Sequence, residues 1–437
     1  MGALLGLAVM GCSQESEDTS SSKKQGDASS GVEDSQGSQG DGSVSDGNPT
    51  DSGMDTEGDI LVDTSIDLPD DTAFDQSIDG VTDVLDAEET GESSSCKSHP
   101  PEVLPYDPKH FSLNQPLGSA VTLDPRSDAV VERLALNTTL RAVGLGTHGE
   151  SPSVYEVSDS DPLYTVHVSS VPTPELFRVP AGAVQGGGSD SPSELLDRNH
   201  PAYGPFVELR LWQAVFDHTK QTITASGGGL FHYNSDGKLL NPDGSPSVGT
   251  PFKGWGTGSG LSYLAGLIRP EEVIAGEICH ALRFSYSNCH FTDTFRPPAT
   301  KTDQPKGCPL SLAERGDPAS WMEMGMRLQL DPAVDCETRT VPKRNASHDV
   351  TEETRMLRMI CRALQRYGMV ALDGTVPGGL LIYAEDTSTA AWDTILGPPD
   401  VHARYSFMLR DQHSATDGFQ RDEHSGIPWH RLRVVVP

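Results

Sequence analysis

Basic side chains are scarce in this chain. Its 437 residues carry 32 Lys and Arg against 63 Asp and Glu, a formal net charge of −31. With no basic or aromatic-interleaved stretch, it lacks the electrostatic footprint of a nucleic-acid binder. Long apolar runs are missing as well: Leu4 to Val9 is too short to span a bilayer, and no later segment is apolar enough to do so. Familiar signature loops are also absent. The glycine-rich stretch Gly254 to Gly266 fits neither a dinucleotide fingerprint, nor a phosphate loop, nor a nucleophile elbow. That leaves Ser259 without support as a nucleophile and assigns the glycines to tight backbone packing.

What is present starts at the N-terminus, where Leu4 to Val9 runs into Met10-Gly11-Cys12. This looks like a bacterial lipoprotein signal, with residues 1–11 removed and Cys12 lipidated. The expectation is an exported protein held on a lipid membrane through Cys12, with Ser13 favouring the outer membrane over the inner one. A positively charged leader is missing, so the true start is expected upstream.

Residues 12–95 read as a tether. From Ser13 to Ser95 there are 23 acidic and 2 basic side chains among Ser, Gly, Thr and Gln. Such a segment buries too little apolar area to offset its chain entropy, and self-repulsion extends it. Aspartate recurs every fourth residue from Asp51 to Asp83. A calcium-responsive arm and a plain solvated spacer both fit that repeat. Residues 96–437 carry 30 basic and 40 acidic side chains, so most of the acidity belongs to the tether. They are expected to form a single β-rich globular domain.

Of the 7 cysteines, six remain once Cys12 is lipidated, which suits three disulfides in an oxidising compartment. Cys289 with Cys308 is the first pairing expected, because it closes a short Pro-rich loop. A rival is a metal site built on Cys279-His280 and Cys289-His290, although the spacing matches no zinc finger. No metal or other cofactor is expected.

The pattern of the globular part is mostly β. A short helix is expected over 128–136, then strands over 164–171 and 176–180, the latter opening a turn-rich run to Ser189. Phe206 to Phe216 alternates, with Val207, Leu209, Leu211 and Val215 on a core face and Glu208, Arg210 and Trp212 on a solvent face. Asp217 to Lys220 then turns the chain into a partner strand. A carboxylate, a guanidinium and an indole on one face are the equipment of a sugar-binding groove; a half-solvated face of an inert sheet looks the same. Leu230 to Asn234 is a further strand after Gly227-Gly228-Gly229. Pro270, Glu271 and Glu272 start a helix with Val273, Ile274 and Ile278 inward, followed by a strand over 281–286.

Met322, Met324 and Met326 line one side of a strand, as core filling or as a thioether copper site. Thr351 to Tyr367 reads as a helix capped by Asp349, with Leu357, Ile360, Cys361 and Leu364 as its apolar stripe. Arg355, Arg358, Arg362 and Arg366 form its wet face, a solvated surface or a hold for an anionic polymer. Strands over 369–372, 380–383 and 432–436 close the sheet.

An ordered set of motifs runs through this region: VPAGA (Val179 to Ala183), Asp197-Arg198, AGLIRPEEV followed by HALRF (Ala265 to Phe284), PAT (Pro298 to Thr300), MGMRLQLDPAVD (Met324 to Asp335) and RALQRYGMVALD (Arg362 to Asp373). The set resembles a family of secreted bacterial proteins, mostly uncharacterised. The resemblance implies a β-sandwich, jelly-roll-like, with two or three short helices and a role at polysaccharides or the cell envelope. Members of that family often carry acids where this chain has Arg210, His232 and Cys279, and a His where it has Lys301. Only His280 and Arg283 keep their expected places among the polar positions. The catalytic set expected here is therefore Glu208, Asp217 and His280, with Arg210, Trp212, His232, Trp255 and Arg283 binding a polysaccharide. A non-catalytic module that binds glycan through the same aromatics is the alternative.

Overall fold

The computed structural model describes residues 111–118, 120–140, 143–169, 175–232, 257–302, 308–343, 350–375, 379–397, 408–413 and 421–436. Among them the protein is mainly β, with 17 strands in several sheets and five short helices where the sequence suggests two or three. Strands and helices are numbered in chain order. A large sheet holds β1 (Thr122–Leu123), β2 (Val143–Gly146), β11 (Leu282–Ser287), β14 (Arg327–Leu330), β15 (Met369–Thr375), β16 (Leu380–Tyr383) and β17 (Leu432–Val436) in the spatial order β1-β17-β14-β15-β11-β16-β2. A middle sheet holds β3 (Ser153–Val157), β6 (Ser193–Asp197), β7 (Val207–Trp212) and β10 (Gly227–His232) in the order β10-β7-β6-β3. An outer sheet holds β4 (Leu163–Val168), β5 (Glu175–Arg178), β8 (Val215–Asp217) and β9 (Thr222–Ala225) in the order β5-β4-β9-β8. β12 (Phe291–Phe295) pairs with β13 (Met322–Met324).

Strand alternation explains the layering. Leu195, Val207, Leu209, Leu211 and Leu230 of the middle sheet pack on Tyr164, Val166, Phe177 and Ile223 of the outer sheet. The opposite face of the middle sheet, with Val154 and Leu196, shares a second core with Val370, Leu372 and Tyr383 of the large sheet. Leu261, Leu264 and Leu267, from the connection leading into α2 (Pro270–Ala275), complete that core. The far face of the large sheet, with Leu282, Phe284, Leu328, Met369 and Ile382, is covered by α1 (Ser127–Leu140), α4 (Thr351–Arg366) and α5 (Trp392–Leu396). The remaining helix is α3 (Leu312–Arg315). The middle sheet is thus covered on both sides.

The run 206–217 is not one strand. It breaks at Gln213, whose φ of 53° ends β7, and resumes as β8 in the outer sheet, paired with β9. Val215, expected in the core, is 57% exposed. Gly227, Gly228 and Gly229, which precede the expected strand, already belong to β10, paired with Trp212, Leu211 and Arg210. α2 stops at Ala275, which leaves Ile274 exposed while Val273 and Ile278 are buried.

α4 places Leu357, Ile360, Cys361 and Leu364 in the core, as its sequence period requires, while Asp349 lies outside the described residues. Its four arginines are tied to the protein itself. Arg355 donates to Val273 O and Glu352, Arg358 to Arg339 O, Arg362 to Glu337 and Arg366 to Glu277. Arg327 is buried and donates to the carbonyls of Tyr367, Ser112 and Gln115 at 2.7–3.1 Å. With no carboxylate beside it, burial pulls its pKa down to about 10.

Met322, Met324 and Met326 are fully buried in the core of the large sheet, as fillers. Disulfides join Cys289 to Cys308, as expected, and Cys336 to Cys361. Cys279 is disulfide-bonded too, so neither Cys279 nor Cys289 offers a thiolate to a metal. Among the described residues no helix is long and apolar enough to cross a membrane. Cys12 lies outside them.

Candidate functional site

The face of β7 expected in solvent is buried. Glu208 is 0% and Arg210 2% exposed, and Trp212 is half-buried. They point toward the large sheet, with Glu194 of β6 paired beside Arg210. Residues 257–269, which lead into α2, and the start of β11 close over them. Arg210 Cζ sits 4.1 Å above the centre of the Tyr263 ring. Arg283 Cζ lies 4.8 Å from the same ring and 4.3 Å from the Tyr383 ring. Guanidinium and ring therefore alternate through the stack Arg210, Tyr263, Arg283, Tyr383.

Local backbone devices set this stack. Gly266 has a φ of +74°, and a Cβ there would sit 2.5 Å from Arg283 N, so only glycine lets its carbonyl accept from Arg283 N at 2.8 Å. That contact fixes β11 against the connection carrying Tyr263. Arg283 Nη1 donates to Tyr263 O at 2.8 Å, while Arg283 Nε and Nη2 and Arg210 Nε have no hydrogen-bond partner among the described residues. Burial pushes the Tyr263 and Tyr383 hydroxyls well up, so both rings stay neutral.

Beneath the stack lies a carboxyl pair. Ser262 Oγ donates to Glu208 Oε1, and Tyr263 N donates to Glu194 Oε1 at 3.2 Å. Glu194 Oε2 meets no N–H or hydroxyl donor; its neighbour is the Glu208 carboxyl. Burial first, then the charge of Glu208, hold the Glu194 carboxyl well above the usual carboxylate range, although Arg210 pulls it down. The raised pKa favours a protonated Glu194, which can then donate to the Glu208 carboxyl.

Two further acids, both half-buried, act on the stack. Asp190 accepts from Trp212 Nε1 at 2.8 Å, and burial outweighs that bond to raise its pKa, with Glu150 adding to the rise and Arg210 and Arg283 opposing it. Its loop is strained. Of the five non-glycine residues with left-handed φ among the described residues, three surround it: Glu150 accepts from the backbone of Ser189 and Asp190, Gln213 N donates to Asp190 O at 2.6 Å, and Ser191 follows Asp190 directly. Gly186 closes the same loop so tightly that a Cβ would lie 2.3 Å from Ser151 O.

Asp373 reaches the site through a β-bulge. Phe284 pairs with Ala371, but the next residue, Ser285, pairs with Asp373, so Leu372 is the extra residue. The bulge turns Asp373 to the face of Ser285, whose Oγ accepts from the Tyr383 hydroxyl at 3.0 Å. Both Asp190 and Asp373 act on the Tyr263 hydroxyl by charge, raising its pKa further.

Not every expected residue joins this site. Glu208, Arg210, Trp212 and Arg283 come together. Asp217 does not: it lies on β8 in the outer sheet, where Lys220 Nζ donates to it at 2.7 Å in an exposed turn. His280 is also elsewhere. It is 2% exposed, with Nε2 3.1 Å from the Glu272 carboxylate and Nδ1 2.9 Å from Ala281 O. Both ring nitrogens face oxygen acceptors, an arrangement that suits the protonated ring. Burial opposes that charge, but Glu272 outweighs it and holds the pKa above the ordinary value. His280 is thus engaged with Glu272 and Ala281 O and makes none of the contacts of the stack.

By alternation, His232 of β10 points with Leu230 toward the outer sheet, away from Arg210. Trp255 lies outside the described residues. Glu194, Asp190, Tyr263, Tyr383 and Asp373 are the members that sequence reasoning missed. Comparison with protein-family models, curated proteins and solved structures finds no match to this chain.

Proposed function

We propose that this is an exported lipoprotein, anchored through Cys12, whose β-sandwich domain acts on a polysaccharide at the half-buried acids Asp190 and Asp373, beside the packed interface of the middle and large sheets. Asp190 and Asp373 replace Asp217 and His280 as the reacting groups, and the Arg210–Tyr263–Arg283 stack forms the floor. The observation that carries this reading is that one acid on a strained loop and one re-aimed by a bulge both act by charge on the same tyrosine hydroxyl. Left-handed non-glycine residues cost about 1–3 kcal/mol each and persist where surrounding structure holds them for a purpose. Asp190, with its raised pKa, is suited to donate a proton to a leaving oxygen, and Asp373 is the second carboxyl that glycoside hydrolysis requires. Glu208 is a positioning residue, fixing Ser262 next to Tyr263.

The test is a polysaccharide panel on the full chain carrying Cys12→Ser, scoring reducing ends, unsaturated products and binding together. Wild-type product formation that disappears in Asp190→Asn and Asp373→Asn, with binding retained, supports the assignment. Product formation that survives both substitutions removes it. Binding without any product in the wild type replaces it with a non-catalytic glycan-binding module.

A further inference from the structure

We infer that the site takes an acidic polysaccharide, and that Arg283, supported by Arg210, grips an anionic substituent of the sugar. This deepens the reading above and rests on it. Arg283 presents an open guanidinium edge. A guanidinium presents two parallel N–H groups along its Nε–Nη2 edge, the geometry that matches a carboxylate or sulfate oxygen pair. In Arg283 the other nitrogen, Nη1, is already committed to Tyr263 O, while the whole Nε–Nη2 edge is unpartnered on a side chain that is 0% exposed. Arg210 repeats the situation on the other side of the Tyr263 ring: it is 2% exposed and its Nε is likewise unpartnered.

Three other buried arginines are better satisfied: Arg327 and Arg339 each donate to three carbonyl oxygens, and Arg269 is paired with Glu385 at 2.6 Å. The expectation that buried donors find acceptors is met at those three and not at Arg283. The nearest buried acids do not repair it, because the Glu194 and Glu208 carboxyls lie on each other and on Ser262 and Tyr263 N. An incoming anion satisfies the open edges, and the Tyr263 and Tyr383 rings keep both guanidinium planes fixed to receive it. Trp212, held by Asp190, offers a ring face for the sugar that carries the anion.

The experiment uses the full chain carrying Cys12→Ser and pairs of polymers that differ only in charge. Polygalacturonate, alginate and hyaluronate are each compared with their carboxyl-reduced forms, and dextran sulfate with dextran, by calorimetry and product assay. At least one anionic polymer is expected to bind roughly tenfold or more tighter than its neutral counterpart, the ratio carried by one charge-assisted pair. Preference for dextran sulfate over the uronates identifies sulfate as the gripped group; the reverse identifies carboxylate. Arg283→Lys keeps the charge but loses the fork, and is expected to erase most of the preference.

Equal affinity for charged and neutral members of every pair overturns this inference yet leaves a polysaccharide-acting protein in place. Failure to bind or cleave any polymer of either kind overturns both. The polymer comparison in wild type decides the matter even where an arginine variant fails to fold.

Discussion

Replacing Glu194 by Gln tests its protonation directly. Glu194 is 0% exposed, accepts Tyr263 N–H through one oxygen, and leaves the other against Glu208. Its folded pKa is raised, so the sign of the linkage is fixed. Below the ordinary carboxylate range both folded and unfolded chains hold the proton, and the full contribution to stability is present. As pH rises past that range the unfolded chain releases the proton while the folded one keeps it, and stability falls until the raised folded pKa is reached. One proton of difference is at most about 1.4 kcal/mol per pH unit, so wild type should lose stability relative to the variant as pH rises from the ordinary carboxylate range toward the raised folded pKa. Glutamine suits the site at any pH, because its oxygen still accepts from Tyr263 N–H and its NH₂ donates to Glu208. Urea unfolding of both proteins at pH 5, 6, 7 and 8 gives the difference, and comparing slopes cancels every other titrating group. Parallel curves, or a variant uniformly weaker at all four pH values, would refute a protonated Glu194.

Three other outcomes follow from the geometry. Arg327→Met strands the Ser112, Gln115 and Tyr367 carbonyls and should destabilise the domain by about 3 kcal/mol or more in denaturant unfolding. His280→Gln leaves Glu272 buried without its charged partner, a loss of about 3–5 kcal/mol; in the protein that remains folded, polysaccharide binding should be unchanged, and a selective loss of binding would restore His280 to the site. Removing the Cys336–Cys361 bridge, which spans 25 residues, should cost roughly 3 kcal/mol by unfolded-state entropy, read from the shift in urea midpoint of Cys336→Ser/Cys361→Ser.

The elements with a clean period were legible in the sequence. The α4 stripe, β11, β16, β17 and the Cys289–Cys308 bridge appear where the pattern puts them, because amphipathic spacing and loop length are local properties. The site was legible only in part. Polar residues alternating along β7 read as a wet face, yet a strand covered by sheets on both sides has no wet face, and the covering layer is set by tertiary packing. Glu194 escaped because Leu195 and Leu196 break the alternation of β6: one leucine faces each core. Asp373 escaped because its direction is decided by a bulge, which counts residues on two strands at once and leaves no mark on either alone. His280 drew attention for the opposite reason, as an ionisable residue in a dense motif whose role is to neutralise a buried acid.

The break at Gln213 carries a consequence for how the molecule opens. Consecutive residues leave the middle sheet at Trp212 and enter the outer sheet at Val215, and the two sheets also share the core around Leu209, Leu211 and Ile223. Neither sheet can peel away without dragging the other through a two-residue link. Amide protons of β7 and β9 should therefore exchange with solvent in one cooperative event, not as an edge that frays ahead of its neighbour. Because Gln213 N also holds Asp190 O, the same event releases that acid, so exchange in the outer sheet and loss of the site should share a single free energy.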